Sequence, residues 1–142
     1  MPFNTPGPAT NPRRALLVDD EPVIRHALRR FFQRHGWEVD EAEDGAVALD
    51  RLMGPDGASE TRQAGAYTVI ISDLRMPGVS GIDLYERLAA KRPELLQRLI
   101  LSTGDAVSPE AADFLRRSRC PVLNKPFGLA ELKGLVSRIV EH

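Results

Sequence analysis

The feature that most constrains this chain is a regular alternation of short, unbroken apolar runs with segments of helical period. The runs are Ala15 to Val18, a weaker one at Trp37 to Val39, then Val69 to Ile71, Leu99 to Leu101 and Val122 to Leu123. The helical segments are Val23 to Phe32, Ala46 to Leu52, Ile82 to Ala89, Ala111 to Leu115 and Leu129 to Val140. Strands written as continuous apolar runs are buried on both faces, and strands joined by helices are normally parallel with right-handed crossovers. Five βα units in succession therefore predict a three-layer, doubly wound α/β fold.

In the first helical segment Val23, Ala27 and Phe31 fall at i, i+4 and i+8 with Ile24, Leu28 and Phe32 beside them. Arg25, Arg29, Arg30 and Arg34 fall on the other side. Gly36 suits the stop of this helix. The last helix sets Leu129, Leu132, Leu135, Val136, Ile139 and Val140 against Glu131, Lys133 and Arg138. The 14 residues from Met53 to Ala66 hold Pro55, Gly57 and Gly65 without periodic apolar pattern and read as an enlarged surface loop. Residues 1–12 carry four prolines and little to bury, so they read as a flexible tail or linker ahead of one domain over 13–142.

At 142 residues one core suffices, burying about two-thirds of the unfolded surface. A net charge of -1 points to no direct nucleic-acid or membrane partner, and no apolar run approaches the ~18 residues of a membrane span. A single cysteine, Cys120, excludes an intrachain disulfide, reads as packing filler and suits a reducing cytoplasm. His26, Trp37 and Tyr85 read as surface and packing residues.

In an open parallel sheet ligands bind at the carboxyl ends of the strands, where strand order reverses. The reactive residues follow the apolar runs: Asp19-Asp20-Glu21 after Val18, Asp73 after Ser72, Ser102-Thr103 after Leu101, and Asn124-Lys125 after Leu123. Carboxylates gathered on one edge repel by ~4 kcal/mol for a pair 4 Å apart at an effective dielectric near 20. A hard divalent cation with oxygen ligands offsets that, and Mg²⁺ prefers a few carboxylates with retained waters and phosphate oxygens. A lysine and a hydroxyl at the same edge complete a site for a tetrahedral anion.

These motifs resemble the receiver domain of two-component response regulators, over roughly Arg14 to His142. The matching pieces are Val18-Asp19-Asp20-Glu21-Pro22, Asp73-Leu74-Arg75-Met76-Pro77 with Gly81 eight residues after Asp73, Ser102-Thr103-Gly104, and Lys125-Pro126-Phe127. Asp73 to Thr103 is 30 residues and Thr103 to Lys125 is 22, and the order and spacing are highly specific together.

The resemblance implies a flavodoxin-like (βα)5 fold with strand order 2-1-3-4-5. It implies that Asp73 takes a phosphoryl group from a phosphohistidine on a histidine kinase or histidine phosphotransfer protein. Asp20, Asp73 and the backbone carbonyl of Arg75 would bind Mg²⁺, with Asp19 acting mainly through water. Thr103 would hydrogen-bond the phosphoryl group and Lys125 would pair with it. The domain would be a signalling protein rather than an enzyme, a monomer or weak dimer, with its first helix helping to dock the partner. The Lys125-Pro126 peptide is often cis in this family. An aromatic residue that often precedes the lysine by three is Val122 here, so switching through that ring is unavailable. Arg75 and Asp105 would set phosphate lifetime.

The chain stops directly after the fifth helix, and the expectation is a stand-alone regulator or a receiver cut from a hybrid histidine kinase. A haloacid-dehalogenase-like phosphatase needs a second aspartate where Arg75 stands, and both glycine signatures of nucleotide sites are absent. The remaining alternative is a pseudo-receiver that acts as a protein-binding scaffold without phosphorylation.

Overall fold

The computed structural model of the chain describes residues 13–53, 67–76, 78–104 and 108–141. Tail 1–12, loop residues 54–66 and Asp105 lie outside them. Strands β1 (Arg14–Val18), β2 (Glu38–Ala42), β3 (Tyr67–Asp73), β4 (Leu99–Thr103) and β5 (Val122–Asn124) alternate with five helices. These are α1 (Pro22–Arg34), α2 (Gly45–Met53), α3 (Gly81–Lys91), α4 (Pro109–Ser118) and α5 (Leu129–Val140), with a 3-10 helix at Pro93–Arg98 ahead of β4. The strands form one parallel sheet in the order β2-β1-β3-β4-β5, as the apolar runs and the resemblance predict.

The three inner strands, β1, β3 and β4, bury both faces because neighbouring residues point into different cores. Leu16, Val18, Ile70, Leu99 and Leu101 pack with Ala48 and Leu52 of α2, Leu84 and Leu88 of α3, and Phe114 of α4. Ala15, Leu17, Val69, Ile71, Ile100 and Leu123 pack with Leu28, Phe31 and Phe32 of α1 and Leu132 and Val136 of α5. Three helices thus cover one face and two the other. The helix starts are locally encoded. Ser80 and Asp83 form a reciprocal capping box at α3, Ser108 caps α4 by accepting from the Ala111 amide, and Pro22 occupies the first turn of α1.

Four local expectations change. β2 runs to Ala42, beyond the predicted Trp37–Val39. Its exposed edge is written in charges rather than in apolar residues: Arg14 pairs with Glu38 and Asp40, and the Tyr67 hydroxyl also donates to Asp40. In α1 the face that packs is Leu28, Phe31 and Phe32, while Val23 is 78% exposed and Ala27 is exposed. Phe31 fits both candidate stripes, and its one orientation selects the stripe that runs through Leu28. Leu129 is likewise 60% exposed, because it sits one turn ahead of the Leu132–Val136 stripe. Met53 closes α2 as a buried core residue instead of opening the loop.

Candidate functional site

The register sets the ends of the central strands side by side. Val18 is level with Ser72 and Asp73 with Ser102, while Ser102 pairs onward with Leu123 and Thr103 with Asn124. The residues that follow are therefore delivered to one edge.

Asp19, only 1% exposed, is the most firmly held. Its amide donates to the Ala42 carbonyl at 3.1 Å, and its Oδ1 accepts from the Glu21 amide at 2.9 Å. Asp20 follows it into solvent. Asp73, 7% exposed, ends β3, where the Ser72 hydroxyl donates to its carbonyl oxygen and the Arg75 amide reaches its Oδ1 at 3.5 Å. The Leu74 amide donates to the Ser102 carbonyl at 2.7 Å and continues the ladder past Asp73. Thr103 is buried at the end of β4, and its hydroxyl makes no side-chain hydrogen bond among the described residues. The Lys125 amide donates to the Thr103 carbonyl at 2.8 Å, and the Lys125-Pro126 peptide is cis, as the resemblance implies.

From that anchor the Lys125 side chain crosses the edge. Its Nζ lies 2.9 Å from Asp19, 3.3 Å from Asp73 and 3.3 Å from Glu21. Burial opposes the ammonium charge, but hydrogen bonding to Asp19 and the charges of Asp19 and Asp73 outweigh it and raise the lysine above its ordinary range. At Asp73 the balance goes the other way for an acid. Burial, then the charge of Asp19, push its carboxyl above the usual carboxylate value, against Lys125 and the Arg75 amide.

One oxygen from each of Asp19, Asp20, Glu21 and Asp73 can be chosen so that all four lie within 4.8 Å of one another. These are hard oxygen donors, and among the described residues Lys125 is the one cation paired with them, touching Asp19, Glu21 and Asp73, so four carboxylates face one ammonium. The donor set and its uncompensated charge fit a hard divalent cation. The structure thus brings together Asp19, Asp20, Asp73 and Lys125, puts Thr103 one residue past the register partner of Asp73, and turns the Arg75 amide toward the Asp73 carboxylate while Arg75 itself is exposed.

Two residues named in the sequence without a role of their own prove to be participants. Glu21 joins the acid cluster and Lys125, and its only signal was adjacency to the acid pair. Arg25 donates to the Asp19 carbonyl at 2.6 Å, a contact signalled only by its place one turn into α1.

In an open parallel α/β sheet the ligand site lies at the carboxyl edge, and here that edge carries a lysine and four carboxylates. The family model for the response regulator receiver domain matches residues 15–137, and the chain belongs to that family. The alkaline phosphatase synthesis transcriptional regulatory protein SphR of Synechococcus elongatus is 34% identical over 130 residues, covering 88% of this chain and 48% of that protein. Response regulator MprA of Mycolicibacterium vanbaalenii is 34% identical over 121 residues, covering 85% and 47%. The chain spans about half the length of these two relatives.

Among solved structures, a response regulator receiver protein from Pseudomonas putida superposes with a TM-score of 0.73 at 27% identity, over 92% of this chain and 99% of that one. A chemotaxis protein from Vibrio cholerae gives 0.67 at 26% identity, over 90% and 98%. Receiver domains are signalling domains that bind Mg²⁺ at an acidic pocket and interact with histidine kinases or phosphotransfer proteins. No helix among the described residues is long and apolar enough to cross a membrane.

Proposed function

We propose that this chain is a phosphoacceptor receiver in which Asp73 takes a phosphoryl group from a phosphohistidine on a histidine kinase or phosphotransfer protein. The observation that carries the reading is Asp73 at the end of β3, buried beside Asp19 and 3.3 Å from the Lys125 ammonium. The Asp73 carboxylate is the nucleophile. Its oxygen forms the new O–P bond as the N–P bond to the imidazole breaks, and the imidazole leaves with the electron pair and takes a proton.

Asp19, Asp20, Asp73 and the Arg75 backbone carbonyl would hold Mg²⁺, with Glu21 close enough to assist. When bound, Mg²⁺ supplies the positive charge that lets a phosphoryl group share the edge with these acids. Lys125 leaves its carboxylate partners to pair with a phosphoryl oxygen, and the Thr103 hydroxyl donates to another. The product adds about two negative charges at Asp73 and biases a pre-existing equilibrium of the surface.

The partner docks beside this edge. Val23 and Leu129, the two large exposed apolar residues among those described, lie three residues after Asp20 and four after Lys125 at the starts of α1 and α5. Leu129 lines a groove of about 400 Å³ between α1 and α5 that carries Arg30, Arg34 and Lys133. The relatives named above are regulators, which favours a regulator over a hybrid kinase as the setting.

Incubation with acetyl phosphate and Mg²⁺ followed by intact mass tests the acceptor. The wild type should gain ~80 Da, the mass of a phosphoryl group, and Asp73→Asn should not. No gain in either protein supports the scaffold reading, and a gain retained in Asp73→Asn moves the acceptor elsewhere.

A further inference from the structure

The loop that carries the acid pair is held by residues outside the acid cluster. The Arg25 guanidinium forks: Nη1 donates to the Asp19 carbonyl oxygen at 2.6 Å, and Nε donates to Glu41 Oε1 at 2.8 Å. Glu41, the penultimate residue of β2, gives its second oxygen to Arg29. The Arg25 side chain is 17% exposed and that of Glu41 28%, so the bridge is largely sheltered from water.

We propose that Arg25, braced by Glu41, is a positioning residue for the divalent-cation site: it fixes the Asp19-Asp20 peptide and thereby aims the Asp20 carboxylate. The inference deepens the phosphoacceptor reading and rests on it. Asp19 is tied at every polar group, with its amide on Ala42, its carboxylate on the Glu21 amide and Lys125, and its carbonyl on Arg25.

Asp20 has no such ties. It is exposed, and its side chain makes no hydrogen bond or ion pair among the described residues. Its direction is inherited from the backbone. The Asp19 carbonyl oxygen and the Asp20 nitrogen belong to one planar peptide, so a bond that holds the oxygen also sets the plane on which Asp20 hangs.

Glu41 matters because an arginine bonded only to one carbonyl could swing on its own stem. With Nε pinned to a carboxylate on the neighbouring strand, the planar fork points Nη1 at a fixed place. A lysine keeps the charge but presents a single ammonium on a flexible stem and cannot span both partners in that geometry. Outer partners that orient metal ligands commonly matter as much as a ligand's own environment.

The test follows Mg²⁺ titration by the amide shifts of Asp20 and Asp73 in the wild type, Arg25→Ala, Arg25→Lys, Glu41→Gln and the Arg25→Ala/Glu41→Gln double variant. Metal-free amide exchange at Glu21, whose N–H is tied to the Asp19 carboxylate, is measured on the same samples. Arg25→Ala should weaken Mg²⁺ binding about ten-fold, with Arg25→Lys recovering only part of the loss. Glu41→Gln should fall between wild type and Arg25→Ala. The double variant should bind no worse than Arg25→Ala, because both residues act through one fork.

The Glu21 amide should exchange faster in metal-free Arg25→Ala while the β4 and β5 amides keep their protection, which separates loop release from general loosening. Wild-type Mg²⁺ affinity in Arg25→Ala overturns the positioning role alone. If Arg25→Ala does not fold, wild-type affinity in both Arg25→Lys and Glu41→Gln overturns it equally. A wild type that binds no Mg²⁺ refutes the cation reading itself, and this inference with it.

Discussion

Asp73 is buttressed by a residue without a side chain. Gly81 opens α3, and its amide donates to the Leu74 carbonyl at 3.0 Å. A Cβ built on Gly81 would collide with the Asp73 carbonyl oxygen and come within 2.9 Å of Leu74 Cα. The atoms it would meet are backbone, which cannot rotate away, and they belong to the peptide that aims the Asp73 side chain. Gly81→Ala should therefore destabilise the fold by roughly 1–3 kcal/mol, as overpacking does, and slow phosphorylation of the fraction that remains folded. Gly134 is the contrast: it lies inside α5, where an added Cβ meets nothing within 4 Å. Gly134→Ala should stabilise by about 0.5–1 kcal/mol through helix propensity alone. Urea midpoints of both variants check the pair, and equal shifts would mean that the α3 contact with Asp73 is slack.

At the scale of elements, what could be read in the sequence depended on which neighbour satisfies each residue. β1, β3 and β4 lie between other strands, so their burial is written as apolar runs and their predicted centres match the observed strands. β2 is an edge strand of sequence Glu-Val-Asp-Glu-Ala, and its acids are matched by arginines from β1, α1 and α2. No local pattern announces such pairing, which is why only its first residues were legible. The acid pair, Asp73 and Lys125 were legible as motifs with fixed spacing. Glu21 was legible as part of the acidic run, but not its bond to Lys125, which no local pattern announces.

The same edge pairing predicts a pH dependence. Burial opposes ionisation of Glu41, but hydrogen bonds from Arg25 and Arg29 and their charges outweigh it and hold the carboxyl below its ordinary value. A depressed folded value means that the unfolded chain binds the proton more readily. The contribution is therefore present above the unfolded carboxylate range and is lost as pH falls through the folded value. Glu41→Gln should be less stable than wild type at neutral pH, and the gap should close in acid. A gap that stays constant down to acid pH would show that the Glu41 charge adds nothing.

For the whole molecule, the question is how a reaction site at one sheet edge selects a macromolecular donor. The fold places the first turns of α1 and α5 immediately after the acid loop and after Lys125, so a partner that approaches Asp73 from that side meets them. Val23 and Leu129 are exposed there although neither helix needs them for its packing stripe, and the adjoining groove carries Arg30, Arg34 and Lys133. An apolar contact ringed by cations suits a partner helix with an apolar face and acidic flanks. Val23→Ser/Leu129→Ser should slow transfer from a phosphorylated histidine kinase that serves the wild type by about ten-fold, the effect expected of a pair that belongs to the few residues carrying most of an interface's binding energy. Labelling by acetyl phosphate should be unchanged, because a small donor needs only the edge. Transfer from the kinase should also slow as salt rises, through screening of the arginines. If both donors slow together, the two residues support the site rather than the partner, and if neither slows, the partner docks on another face.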